Sequence, residues 1–179
     1  TGKMIGIEQV NIINGKMDGE YLYFNSKGQL LIQRHLKDNK RHGKEVYYKG
    51  GFLEQITHYK NDKKNGIQTI FDDFGNKLST QNYKDDLRHG INEGVVRFKS
   101  IKVSDTTNCK YEVTFKRLYK DDKLHGQEII ENCYRNSKTI ANYKNGEELC
   151  GTIEYFKKNF IRYKETCDNN KKEFKWYYD

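Results

Sequence analysis

The sequence predicts an all-β fold, a repeat array of antiparallel β-hairpins in a meander or solenoid arrangement, on three observations. The first is a short turn that recurs six times. Its clearest copy is 37–43 (KDNKRHG), and it returns at 60–66 (KNDKKNG), 84–90 (KDDLRHG) and 120–126 (KDDKLHG), with looser copies at 14–19 (NGKMDG) and 144–151 (KNGEELCG). The closing glycines fall at 19, 43, 66, 90, 126 and 151, so the steps are 24, 23, 24, 36 and 25 residues, a period in the range of repeat architectures. The second is a Tyr-Lys pair ending several of the returning segments: Tyr59-Lys60, Tyr83-Lys84, Tyr119-Lys120, Tyr143-Lys144 and Tyr163-Lys164. The third is composition. A hydrophobic fraction of 35% against 32% charged residues cannot fill a thick core, while 14 Tyr and 9 Phe are too many for a disordered polymer. A thin, aromatic-rich structure satisfies both.

Taken in order, each repeat of about 23–25 residues reads strand, turn, strand, turn. After the closing glycine come aromatic or β-branched residues, Tyr23-Phe24, Tyr47-Tyr48, Ile70-Phe71 and Tyr155-Phe156. A second turn follows at Ser26-Lys27-Gly28, Gly50-Gly51 and Phe74-Gly75-Asn76, where glycine supplies the positive φ of a tight hairpin. Returning strands are expected over 29–37, 52–60, 77–84, 111–120, 138–144 and 160–164. An isolated hairpin is marginal in water, so stacked neighbours must bury the apolar face. Tyr23, Tyr47, Phe71, Tyr83, Tyr119, Tyr143 and Tyr155 are therefore assigned to packing between repeats.

The 36-residue step breaks the pattern. Between Gly90 and Gly126 the chain reads VRFKSIKV, SDTTN and CKYEVTFKRLY, which predicts a lengthened hairpin over 95–119 that protrudes at 104–108. Excursions from a regular scaffold are a common place for function. The end of the chain, 165–179, reads as a cap on the last repeat, since an open sheet edge must be hidden. Its aromatic run ending in Trp176-Tyr177-Tyr178 is alternatively an interface patch. The whole is read as one repeat domain over 1–179.

Little in the sequence points to catalysis. His42, His89 and His125 each precede a repeat glycine, so the repeat explains their recurrence and their spacing makes no ligand motif. His35 and His58 take matching places near the ends of two returning strands and are expected in a row on an exposed face. Asp72 and Asp73 are neighbours, and as adjacent strand residues they would face opposite ways. No nucleophile elbow, phosphate loop or metalloprotease helix appears. A non-enzyme is expected, with no metal, no cofactor and no small-molecule substrate. No apolar run approaches the length of a membrane-spanning helix.

Cys109, Cys133, Cys150 and Cys167 are spaced unlike zinc ligands. Cys150 and Cys167 flank one hairpin, and Cys109 and Cys133 flank the strands around the 121–126 turn, so either pair can close as a disulfide. Paired cysteines would set the protein outside the cell or in the envelope; four free thiols would set it in the cytoplasm. Residue 1 is Thr, which leaves open an export signal ahead of it.

The matching stretches, 14–24, 37–48, 60–71, 84–94, 120–130 and 144–156, resemble the MORN repeat, and more closely its bacterial variant, the YwqK-like antitoxin-type repeats. The resemblance implies rows of β-hairpins that bind other proteins or, in some members, acidic phospholipids. It also admits a role as an antitoxin or inhibitor that neutralises a partner enzyme. This chain departs from the common form by placing Asp38, Asp62, Asp86 and Asp122 where a turn glycine is usual. Asp tolerates the same turn geometry.

A formal net charge of +8 favours an acidic partner. The expected function is a binding module or scaffold that recognises a protein partner, including an enzyme it restrains. Anionic lipid and nucleic acid are the alternatives. The surfaces expected to carry binding are the long hairpin, with Lys99, Lys102, Asp105, Lys110 and Lys116, the basic rows Arg34, Lys40, Arg41, Lys63, Lys64 and Arg88, and Trp176.

Overall fold

The structure, a computed structural model, describes residues 6–97, 112–133, 136–157, 160–168 and 171–176. The regular elements in it are strands: β1 (Ile7–Ile13), β2 (Lys16–Phe24), β3 (Leu30–Lys37), β4 (Lys40–Lys49), β5 (Phe52–Lys60), β6 (Lys63–Phe71), β7 (Lys77–Lys84), β8 (Leu87–Arg97), β9 (Glu112–Lys120), β10 (Lys123–Asn132), β11 (Ser137–Lys144), β12 (Glu147–Lys157), β13 (Phe160–Asp168) and β14 (Lys171–Trp176). The chain divides into two compact units, Thr1–Arg88 and His89–Asp179, with the boundary inside β8. Within each unit strand order follows chain order and neighbours pair antiparallel, so the all-β hairpin meander is the observed fold. The expected cap contains a further hairpin, with Cys167 on β13 opposite Lys172 on β14.

The recurring turn is shorter than its sequence signature. Only two residues make it: Asp38 and Asn39 at φ 49° and 67°, Asn61 and Asp62 at 50° and 69°, Asp85 and Asp86 at 49° and 72°, Asp121 and Asp122 at 49° and 64°. Two successive positive φ values define the type I′ hairpin turn, which Asn, Asp and Gly tolerate best. The usual glycine place is the second one, held by Gly15 and Gly146 in the first and last copies. It is therefore Asn39, not Asp38, that replaces glycine in the second copy.

The closing glycine lies inside the outgoing strand. Leu36 faces Arg41 and Arg34 faces Glu45, so His35 alone stands opposite His42, Gly43 and Lys44. The same bulge sets His58 opposite Asn65, Gly66 and Ile67. Gly43 and Gly66 have φ of 101° and 108°, and a Cβ at Gly66 would come within 3.3 Å of the His58 Cβ.

Four of these turns also dock on the hairpin before them. The Asn39 N–H donates to the Met17 carbonyl at 2.9 Å, and the Met17 N–H donates to Asn39 Oδ1 at 2.7 Å. Asp62 exchanges the same pair of bonds with Arg41, both at 2.9 Å, and Asp86 with Lys64, at 3.0 and 2.7 Å. Gly146 has no side chain and makes only the backbone bond, to Leu124 at 2.8 Å. The departure from glycine thus satisfies a strand-end N–H that the ladder leaves open.

Burial is thin, as composition requires. Among the described residues the buried apolar side chains are Leu36, Val46, Tyr59, Tyr119 and Ala141, joined by the polar Glu45, Thr57, Gln68, Gln81 and Glu128. Tyr23, Tyr47, Tyr83 and Tyr143 are half-buried, and the side chain of Tyr155 lies outside the described part. Asp72 and Asp73 are not in a strand. Asp72 closes the turn after β6, where its Oδ1 accepts from the N–H groups of Phe74 and Asn76.

Candidate binding surface

Strand alternation sorts the first unit into two faces. Tyr21, Arg34, Glu45, Thr57, Gln68 and Gln81 are successive cross-strand partners and lie on one face. Tyr47, Tyr59 and Tyr83, two residues away along their strands, share it, and it is called here the tyrosine face. His35, Val46, His58 and Ile67 are on the other.

Glu45 is the centre of the tyrosine face. It is 1% exposed, and Arg34 Nε lies 2.8 Å from its Oε2. Arg41 stands 3.8 Å from Oε1. The contacts are close but off-axis, so Arg34 Nε and both carboxylate oxygens are left without a well-formed hydrogen bond. Aromatic rings hold the guanidiniums in place: Arg34 is 5.0 Å from the Tyr21 centroid and Arg41 is 4.1 Å from that of Tyr59. Such contacts stabilise by roughly 0.5–2 kcal/mol, more as they desolvate. Burial, then the Glu45 charge, raises the Tyr47 phenol and pushes that of Tyr59 up to about 12.

Two other bulged hairpins fill the Glu45 place differently. In the next repeat Gln68 takes it, accepting from the Tyr83 hydroxyl at 3.3 Å and donating to Thr57 Oγ1 at 3.2 Å. In the second unit Glu128 takes it, with Arg117 Nε at 2.5 Å and the Tyr143 hydroxyl donating at 3.2 Å. Burial, then the Glu128 charge, pushes Tyr143 up to about 12. Glu45 is thus the carboxylate flanked by two arginines. Sequence reasoning missed it, although a signal existed: Glu45, Gln68 and Glu128 each stand two residues after a closing glycine.

Of the basic rows, Arg34 and Arg41 come together around Glu45, and Arg41 also bonds Asp62, Nε to Oδ1 at 3.4 Å. Lys64 sits over the Tyr83 ring at 4.7 Å. Arg88, the second residue of β8, lies at the unit boundary and is engaged by neighbours. Lys40 and Lys63 stand exposed at the turns, and Lys116 is exposed on β9. Lys99, Lys102, Asp105, Cys109 and Lys110 lie outside the described residues, as do the side chains of Cys150, Cys167 and Trp176. Cys133 is disulfide-bonded.

Two of the three histidines before the glycines serve the array, while His125 Nδ1 is buried without a hydrogen-bond partner. His42 Nδ1 donates to Asn61 at 3.2 Å and His89 Nδ1 to Asp121 at 3.1 Å, each reaching the following turn. On the opposite face His35, Lys44, Glu20, Gln33 and Val46 border a depression of about 200 Å³. Its polar rim is partly self-satisfied, since Gln33 donates to Glu20 at 2.6 Å. Among the described residues no cluster of His, Cys, Asp or Glu could hold a metal ion. No family model matches the chain, and no curated protein matches it.

Proposed function

We propose that the protein is a non-enzymatic binding module, a MORN-like hairpin array, that recognises a protein partner through the tyrosine face of its first unit. The observation that carries this reading is Glu45. A buried charge is costly where a neutral side chain would do, and Gln68 fills the equivalent place with ordinary hydrogen bonds. The fold does not require a carboxylate there. What the carboxylate adds is a fixed position for Arg34 and Arg41 between tyrosine rings, and Arg and Tyr dominate the energetics of protein interfaces. The Cys133 disulfide supports an oxidising setting, outside the cell or in the envelope.

Glu45→Gln tests the reading, because it keeps shape and burial while releasing both guanidiniums. The variant is expected to retain the wild-type circular dichroism spectrum and to lose less than the roughly 3–5 kcal/mol of breaking a fully buried pair, because both guanidiniums keep some access to water. It is expected to hold a captured partner at least about tenfold more weakly. Unchanged capture by a folded Glu45→Gln protein would remove the tyrosine face from the interface.

A further inference from the structure

We propose that the depression on the face opposite the tyrosines takes a second copy of this chain, which enters it with Phe74, at the tip of the turn between β6 and β7. This goes beyond the partner reading above and leaves the tyrosine face free.

Nothing in the turn itself calls for a phenylalanine. The 72–76 turn is closed by four bonds: the Asp72 N–H to the Asn76 carbonyl at 2.9 Å, the Gly75 N–H to the Asp72 carbonyl at 3.0 Å, and the N–H groups of Phe74 and Asn76 to Asp72 Oδ1 at 3.0 and 2.8 Å. The 25–29 turn makes the same four bonds through Asn25, at 2.9, 2.9, 2.9 and 3.0 Å. Gly28 and Gly75 match as well, at φ 74° and 80°. Yet the earlier turn carries Ser26 and Lys27 where the later one carries Asp73 and Phe74. One backbone therefore accepts either pair. Phe74 is 88% exposed, an apolar ring held out on a preformed turn. No hydrogen bond or ion pair engages the Asp73 carboxylate beside it.

The depression offers what this tip lacks. Register lines up its rim, with Glu20 opposite His35 and Lys44 opposite His58, and the β3–β4 bulge brings His35 to Lys44. Val46, 4% exposed, lies at the floor. No hydrogen bond or ion pair engages the Lys44 ammonium or the His35 ring. The acids nearby are occupied: Glu20, at the far end of the row, takes the Gln33 amide, and the turn acids Asp38 and Asp62 pair with Lys16 and Arg41. His58 Nδ1 donates to the Ile67 carbonyl at 2.8 Å, so its ring stays beside Lys44. A cavity of about 150 Å³ suffices for benzene, and the depression measures about 200 Å³. A phenyl ring laid on Val46 meets the Lys44 ammonium as a cation–π partner, as Tyr83 meets Lys64 at 4.7 Å. The Asp73 carboxylate then pairs with Lys44 from the side away from Glu20. Tip and depression are different parts of the chain, so the contact is heterologous and passes from copy to copy. One ring in one depression is a small contact, which makes the association weak.

The test is sedimentation velocity on the full chain from about 10 μM to about 1 mM. Asp73→Ser/Phe74→Lys gives the later turn the tip of the earlier one, and Lys44→Glu reverses the charge at the rim. Wild type is expected to grow in mean mass with concentration, and each variant alone to stay monomeric. The tip variant is expected to melt within about 4 °C of wild type, because the chain already folds that turn with that tip. An equimolar mixture of the two variants is expected to form a one-to-one pair, since one keeps the depression and the other keeps the ring. A wild type that stays monomeric at the highest concentration overturns the proposal. So does a variant that associates as wild type does, a tip variant that melts lower, or a mixture that stays monomeric. Phosphatidylcholine vesicles are run beside these samples; uptake of wild type but not of the tip variant, with no self-association, would make Phe74 a bilayer anchor instead.

Discussion

Asp62 shows how much one side chain does at a turn. It takes a positive φ that glycine would take without strain, its backbone N–H reaches the Arg41 carbonyl, and its carboxylate accepts from the Arg41 N–H. That backbone bond, with help from the guanidinium, holds the carboxyl below the usual Asp range. A depressed folded-state value means the carboxylate stabilises the fold above the unfolded pKa of about 3.9, and that stability is lost as pH falls through the folded value. Asp62→Asn keeps the acceptor and removes the titration, as Asn39 does one repeat earlier. It is expected to match wild type at neutral pH within about 0.5 kcal/mol and to unfold less steeply below about pH 4. Asp62→Ala loses the bond and the short polar side chain that makes left-handed backbone tolerable, for a loss of about 1.5–3 kcal/mol in urea denaturation. The sequence shows that Asp stands where glycine is usual. It does not show the docking bond, because the partner N–H is 21 residues away and belongs to the backbone.

At the scale of the hairpin, the bulge is the part that spacing alone misassigns. A glycine at a fixed distance from a turn looks like the end of that turn, yet the turn closes in two residues and the glycine lies three or four residues into the next strand. The bulge adds residues to the outgoing strand and so sets which side chains share a face. Without it Glu45 would not lie beside Arg34. Gly66→Ala tests this: at φ 108° and 3.3 Å from the His58 Cβ, the new methyl is both strained and crowded. A loss of at least about 1–2 kcal/mol is expected, read from the urea midpoint, while an unchanged midpoint would mean that the bulge can be reshaped freely. The returning strands over 52–60 and 77–84 were legible to the residue, because apolar runs, Gly-bearing turns and the Tyr-Lys ends agree there. The faces were not legible, since one bulge per hairpin shifts the alternation on which they depend.

For the molecule as a whole, the fold class followed from the period and composition, and the site did not. The long hairpin drew attention because it interrupts the repeat, yet Arg34 and Arg41, inside regular repeats, are the predicted residues that meet around a buried charge. Their meeting depends on a cross-strand register of 11 residues, Arg34 to Glu45, that no local motif announces. A binding role for one face, with the rest of the sheet as frame, can be tested within a single strand. Ile70 and Ile67 are both exposed on β6, Ile70 on the tyrosine face and Ile67 on the opposite one. A photo-crosslinking residue is placed at each position in turn and irradiated in native extract. Crosslinks to a protein from position 70, absent from position 67 and suppressed by excess unlabelled chain, are the predicted result; crosslinks from position 67 alone, or equally from both, would contradict it.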